Sequence, residues 1–177
     1  LELCEISEQS FQRLKQHLAK NPIKRLSIAG TRFSRDELLA ILQIVSQNNS
    51  LKEVNLENAR IDDETALAVA NLLRNPALQS INLRNCGIND DHALIIAKSI
   101  SKNRSCNLKA LEVGDNDLTI ENGQTELVSA AVRVNFLRRL CKEIYQTYQY
   151  EELKISGCDS LYDVKFTAMP EDKLLAL

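Results

Sequence analysis

The chain has 177 residues, 44% of them apolar and 26% charged, which is the make-up of a folded domain with a sizeable core rather than of a disordered segment. Its 22 basic residues nearly balance 24 acidic ones, for a net charge of −2, so no basic field points to nucleic acid or an anionic membrane. No apolar run approaches a membrane span, and no signal-peptide pattern is visible.

In chain order, the first stretch, Leu1-x-x-Cys4-x-Ile6-Ser7, matches the later Leu83-x-x-Cys86-x-Ile88-Asn89 position for position, with Phe11, Leu14 and Leu18 following at helical spacing. Residues 1–22 therefore read as a partial repeat that begins inside a strand, and further repeats or a capping segment are expected upstream. Full units start at Ile23, Leu51, Leu78 and Leu108, which are 28, 27 and 30 residues apart. A constant period of this length is the signature of a repeat architecture. Units 23–50, 51–77 and 78–107 are regular.

Within each unit the opening positions alternate. In Leu78-Gln-Ser-Ile81-Asn-Leu83-Arg-Asn-Cys86-Gly-Ile88, Ile81 and Leu83 share one face of a short strand while Ser80, Asn82 and Arg84 take the other. Later in each unit the apolar spacing changes to three and four: Leu38, Ile41, Leu42, Val45; Ala66, Val69, Ala70, Leu73; Ala93, Ile96, Ala97, Ile100. That is one face of a helix. Just ahead of each helix stands a capping residue, Ser34, Asp62 or Asn89, followed by Asp36 and Glu37, Asp63 and Glu64, or Asp90 and Asp91, which suit the positive end of the helix dipole. Ser34 and Glu37 have capping-box spacing.

The motif L-x-x-L-x-L-x-x-N/C-x-L, repeated with a full helix, resembles the ribonuclease-inhibitor class of leucine-rich repeats. The resemblance implies an α/β fold: a right-handed leucine-rich-repeat solenoid, or horseshoe arc, with parallel strands on the concave face and helices on the convex face.

The fourth unit, 108–149, is long. From Leu108 to the next match at Tyr150 is 42 residues; the surplus is expected to lengthen the loop at Thr119–Gln124 and to extend a helix striped by Leu127, Ala130, Ala131, Val134, Leu137, Cys141, Ile144 and Tyr148. Residues 150–177 read as an irregular repeat and C-terminal cap. Stacked in register, the fifth strand would place Lys154 beside Glu112.

Little in the sequence suggests catalysis. The position after each strand holds Cys4, Thr31, Ala59, Cys86, Asn116 and Cys158; in this repeat class a small polar side chain there satisfies buried backbone groups, and Ala59 cannot. Five cysteines without a C-x-x-C pair suit a reducing, cytoplasmic setting. The sequons at Asn48 and Asn103 are of a kind common by chance. His17 and His92 read as solvated helix residues, and no phosphate loop, metal cluster or Ser/His/Asp set is present. No catalytic residue, cofactor, metal or small-molecule substrate is expected.

A protein partner is expected instead. The concave face would present Arg25, Asn55, Glu57, Asn82, Arg84, Glu112 and Lys154, with lateral pairs Glu57–Arg84 and Glu112–Lys154; a second candidate surface is Phe136, Arg138, Arg139 and Tyr145 on the long helix. The Asn-, Lys-, Ile- and Leu-rich, Trp-free composition resembles that of an AT-rich bacterial proteome, and repeats of this eukaryote-like class in such bacteria resemble those of host-directed effectors of intracellular pathogens, which implies delivery to a host cytosol. Ile23-Lys-Arg-Leu-Ser-Ile-Ala-Gly-Thr31-Arg32 resembles the opening repeat of the tropomodulin actin-capping domain. The Ran-activating GTPase activators share the repeat class, although fold does not dictate function.

Overall fold

Short three-residue strands form where an apolar side chain is flanked by two outward-facing ones. The computed structural model describes residues 4–103, 106–131, 133–135 and 153–157. In it β1 (Cys4–Glu5) is followed by α1 (Glu8–Lys20), β2 (Arg25–Ser27), β3 (Thr31–Arg32), α2 (Arg35–Ser46), β4 (Glu53–Asn55), α3 (Asp63–Leu72), β5 (Ser80–Asn82), α4 (Asp90–Lys102), β6 (Ala110–Glu112), a π-helical turn (Ile120–Gln124) and β7 (Lys154–Ser156). The order β2-β4-β5-β6-β7 makes one parallel sheet, and β1 pairs separately with β3. Each unit contributes one strand to the five-stranded sheet, and from β2 to β6 the chain returns to the next strand of that sheet through a helix.

The register sets equivalent positions of the four successive strands side by side. Arg25, Glu53, Ser80 and Ala110 stand side by side, as do Leu26, Val54, Ile81 and Leu111, and then Ser27, Asn55, Asn82 and Glu112. The middle row faces inward, Val54, Ile81 and Leu111 being buried, and joins Leu38, Ile41, Val69, Leu72, Ile96, Ile100 and their neighbours in one apolar cluster with the helices. Leu83, the residue just after β5, is fully buried. Covering a leucine this way stabilises the fold by about 1.5–3 kcal/mol.

The helix starts follow the expected chemistry. Ser7, Ser34, Asp62 and Asn89 all cap, each side chain accepting the backbone N–H three residues on. Ser34 and Glu37 form the expected capping box, and Asp62 with Thr65 and Asn89 with His92 form two more. The Asp62 carboxyl is held below its ordinary value mainly by the backbone N–H of Thr65.

At the opposite ends of the helices lies an asparagine ladder that the sequence reading missed. The amide of Asn48 donates to the Asn21 carbonyl at 3.0 Å, that of Asn75 to the Asn48 carbonyl at 3.0 Å, and that of Asn103 to the Leu73 carbonyl at 3.0 Å. These bonds satisfy carbonyls that a helix C-terminus leaves unpaired. Two of the donors, Asn48 and Asn103, are the sequon asparagines.

The fifth strand corrects the expected register. β7 pairs with β6 so that Lys154 lies opposite Ala110, Ile155 opposite Leu111 and Ser156 opposite Glu112. This is two residues away from the alignment on Tyr150. A two-residue slip leaves every side chain on its original face, so Leu153-x-Ile155 fits either register equally well. The extended loop is also corrected: Ile120–Gln124 forms a single π-turn leading into a helix through 125–131 and 133–135. Leu127, Ala130, Ala131 and Val134 are buried as the stripe requires. The remainder of the stripe, the tail after Gly157, and Phe136, Arg138, Arg139 and Tyr145 lie outside the described residues.

Candidate functional site

The outward side chains of the sheet are built from the strand alternation itself. Arg25, Glu53, Ser80, Ala110 and Lys154 form one row, and Ser27, Asn55, Asn82, Glu112 and Ser156 the next. Beyond them Glu57 and Arg84 extend from the turns.

Much of this polarity is spent on the backbone. Asn55 accepts the Glu57 N–H at 2.9 Å, Asn82 accepts the Arg84 N–H at 2.9 Å, and Glu112 accepts the Gly114 N–H at 2.8 Å. The same position in three successive units thus ends its strand with its own side chain. Asn58, Asn85 and Asp115 follow with φ of 66°, 51° and 56°, and Gly30 occupies the equivalent place with φ of 74°. Asn, Asp and Gly tolerate this left-handed conformation, and their recurrence at one offset was a legible sign of the turn. Asn85 also donates to Asn58 Oδ1 at 2.7 Å.

Neither expected lateral pair forms as drawn. Arg84 turns away from Glu57 and grips Asp115, with Nη2 and Nε at 2.6 and 2.7 Å from one carboxylate oxygen. Asp115 is on the next unit's turn. The bond to Asp115 raises the Arg84 pKa. Glu57 instead receives the Asn82 amide at 3.5 Å. Glu112 takes the Ser156 hydroxyl rather than Lys154, because the slipped register sets Ser156 beside it. At the far edge Arg25 pairs with Glu53 at 3.6 Å, both well exposed. The surface is therefore mixed in charge, with Arg25 and Lys154 on opposite outer strands.

Under the turns runs the small-polar ladder. Asn116 donates to the Leu83 and Val113 carbonyls, each at 2.8 Å, and accepts the N–H groups of Cys86 and Ile88 at 2.9 and 3.0 Å. Cys86 is buried and unpaired, its thiol 3.1 Å from the Leu56 carbonyl. Burial pushes that thiol up to about 12. A thiol so held is no nucleophile. Cys158 lies outside the described residues.

His92 differs from the solvated residue expected. It is buried, its Nδ1 facing the Asn89 N–H at 3.4 Å and its Nε2 the Asp63 carboxylate at 2.9 Å. With one ring nitrogen capping α4 and the other tied to α3, it staples two helices together. Asp90, expected only as a helix start, reaches further: it accepts from the Thr119 N–H at 2.8 Å, the Thr119 hydroxyl at 2.6 Å and the Gly123 N–H at 3.0 Å. Those donors hold its carboxyl below the usual range. Among the described residues no helix is long and apolar enough to cross a membrane.

A family model described as Leucine Rich repeat matches residues 47–70. No curated protein matches the chain in sequence. Among solved structures the fold is similar to Leiomodin-1 Actin-Binding Site 2, with a TM-score of 0.57 and 17% identity over 80% of this chain and 97% of that one. The repeat match and the shared mixed α/β fold with its parallel sheet support a leucine-rich-repeat protein.

Proposed function

We propose that the chain is a protein-interaction scaffold. Its repeats stack into a right-handed arc, with the exposed sheet surface on the concave side as the binding face. The observation that carries this reading is the row structure: five strands in parallel register hold one row of side chains inward and offer one mixed-charge row and one polar row with a single carboxylate outward. Rigid strands of this kind give large preformed surfaces. Affinity purification from eukaryotic and bacterial lysates with mass-spectrometric identification tests it, and saturable binding of a retained protein to the pure chain is the expected outcome.

A second reading, actin binding, is favoured by the likeness to the leiomodin segment, which is itself named as an actin-binding site, together with the tropomodulin-like opening repeat. Co-sedimentation with filamentous actin and a shift assay with monomeric actin test it. The role of a host-directed bacterial effector, acting in a host cytosol, rests on composition together with the repeat class and would be marked by retention of a eukaryotic protein only. Stimulated GTP hydrolysis across a small-GTPase panel is the corresponding sign of a Ran-activator-like role.

A further inference from the structure

One dipeptide in the chain carries a reaction of its own. Asparagine followed directly by glycine occurs once, at Asn122-Gly123, and it falls in the π-helical turn that follows β6. In such a pair the glycine backbone nitrogen can attack the carbonyl carbon of the asparagine side chain, since glycine has no Cβ to hinder the approach. Asn122 is exposed and Gly123 buried, so the amide that would be lost meets solvent while the attacking nitrogen is enclosed.

The donors around this pair converge on one carboxylate. Asp90 Oδ1 accepts the Gly123 N–H at 3.0 Å and the Thr119 N–H at 2.8 Å, and Oδ2 accepts the Thr119 hydroxyl at 2.6 Å and the Asn122 amide at 3.5 Å. To act as a nucleophile, the Gly123 nitrogen must first lose the proton that Asp90 holds. A carboxylate beside that N–H disfavours its ionisation, because the amide anion would face a like charge. The space is also tight: even a Cβ at Gly123 would meet Asp90 Oδ1 and Leu118 Cδ2, which leaves the nitrogen little room to swing toward the side chain.

We infer that Asn122 is a deamidation site, kept closed in the folded chain by Asp90 and opened when α4 and the turn separate. The Gly123 nitrogen gives its proton to solvent base and bonds to Asn122 Cγ. The side-chain nitrogen takes up a proton and leaves as ammonia, and a five-membered succinimide remains. Water then adds to one of the two ring carbonyls and breaks its bond to nitrogen, leaving aspartate or isoaspartate at position 122. Neither product restores the contact. A carboxylate stands where an amide donated to Asp90, so like charges compete for one set of donors, and the isoaspartyl form also adds a methylene to the backbone of the turn. The junction between the third and fourth units loosens in one direction only, in proportion to how often it has opened.

The test incubates the full chain at mildly alkaline pH and physiological temperature, with peptide mass mapping and enzymatic methylation of isoaspartyl groups as readouts. Wild type unfolded in urea should deamidate at Asn122, and folded wild type at least about tenfold more slowly. Asp90→Ala with native circular dichroism should approach the unfolded rate. Val45→Ala, which weakens a distant unit, should stay near wild type, and Asn122→Gln should abolish the product. In wild type itself the Gly123 N–H should be protected from hydrogen exchange, a readout that needs no variant to fold. Asn122→Asp should melt below wild type, as should the modified protein separated by charge. Folded and unfolded wild type reacting at one rate, Asp90→Ala reacting as slowly as wild type, Val45→Ala accelerating as much as Asp90→Ala, or a freely exchanging Gly123 N–H would overturn the assignment.

Discussion

Oδ1 of Asp90 lies 3.0 Å from the backbone N of Gly123, so a carboxylate in the first turn of α4 fastens the start of the following unit's helix. A Cβ at Gly123 would run into that same oxygen and come within 2.9 Å of Leu118 Cδ2. Gly123→Ala should therefore cost about 1–3 kcal/mol. In an Asp90→Ala background the glycine change should cost less, since the two substitutions disrupt one contact; additive losses in urea unfolding would refute the link.

The same carboxylate gives a pH dependence of definite sign. Its folded pKa is depressed below 3.8 by Thr119, Gly123 and Asn122. Its contribution is present above the unfolded carboxyl value and is lost as pH falls through the folded one. Wild type should melt above Asp90→Asn at neutral pH, and the gap should close as pH falls below about 4. A constant gap would contradict the assignment.

The paired contrast Leu83→Ala and Asn82→Ala tests strand orientation. Leu83 is fully buried and should cost about 2–5 kcal/mol. Read from sequence alone, Asn82 is an outward residue whose loss is nearly free; its bond to the Arg84 N–H raises the expected cost to about 0.5–1.5 kcal/mol. Equal losses in chemical denaturation would place both residues wrongly.

Strand faces and helix starts were legible because alternation and capping chemistry recur at constant offsets, as at Ile81 and Leu83 or at Ser34, Asp62 and Asn89. What escaped were contacts between units. Asp90 looks like any first-turn acid until Thr119 is brought beside it, and Arg84 had two acidic neighbours within reach, Glu57 and Asp115, between which spacing does not choose. The position of β7 escaped for another reason: a shift of two residues preserves the apolar pattern. His92 was misjudged because a residue in a helix's first turn reads as exposed unless the neighbouring helix, with Asp63, is known to cover it.

The β7 register makes its own prediction. Gly157 has φ of +84°, and a Cβ there would strike the Gly114 backbone, so Gly157→Ala should destabilise by more than about 1 kcal/mol. Ser156→Ala should lose about 0.5–1.5 kcal/mol with the Glu112 bond, and Lys154→Ala should stay within about 0.5 kcal/mol. A sensitive Lys154 with an indifferent Ser156 would restore the alignment on Tyr150.

For Cys86, native protein at mildly alkaline pH should resist alkylation, and melting should be insensitive to reductant. The thiol's folded pKa of about 12 exceeds its ordinary 9.0, so its contribution is complete below pH 9 and declines above it as the unfolded thiol ionises first. The stability advantage over Cys86→Ala should narrow as pH rises past about 9. Rapid alkylation of Cys86 in the folded state would show the ladder to be open.

The most direct measurement of the scaffold claim compares proteins retained by wild type with those retained by a sheet-surface variant, quantified by mass spectrometry. Since Asn55, Asn82 and Glu112 serve the backbone, the informative set is Arg25→Glu, Arg84→Glu and Lys154→Glu together, with Phe136→Ala plus Arg139→Glu on the long fourth-unit segment as the rival set. The account predicts a specific partner retained by wild type and by the rival variant, and lost from the sheet-surface variant at unchanged circular dichroism. Full retention by the sheet-surface variant with loss in the rival one would contradict it.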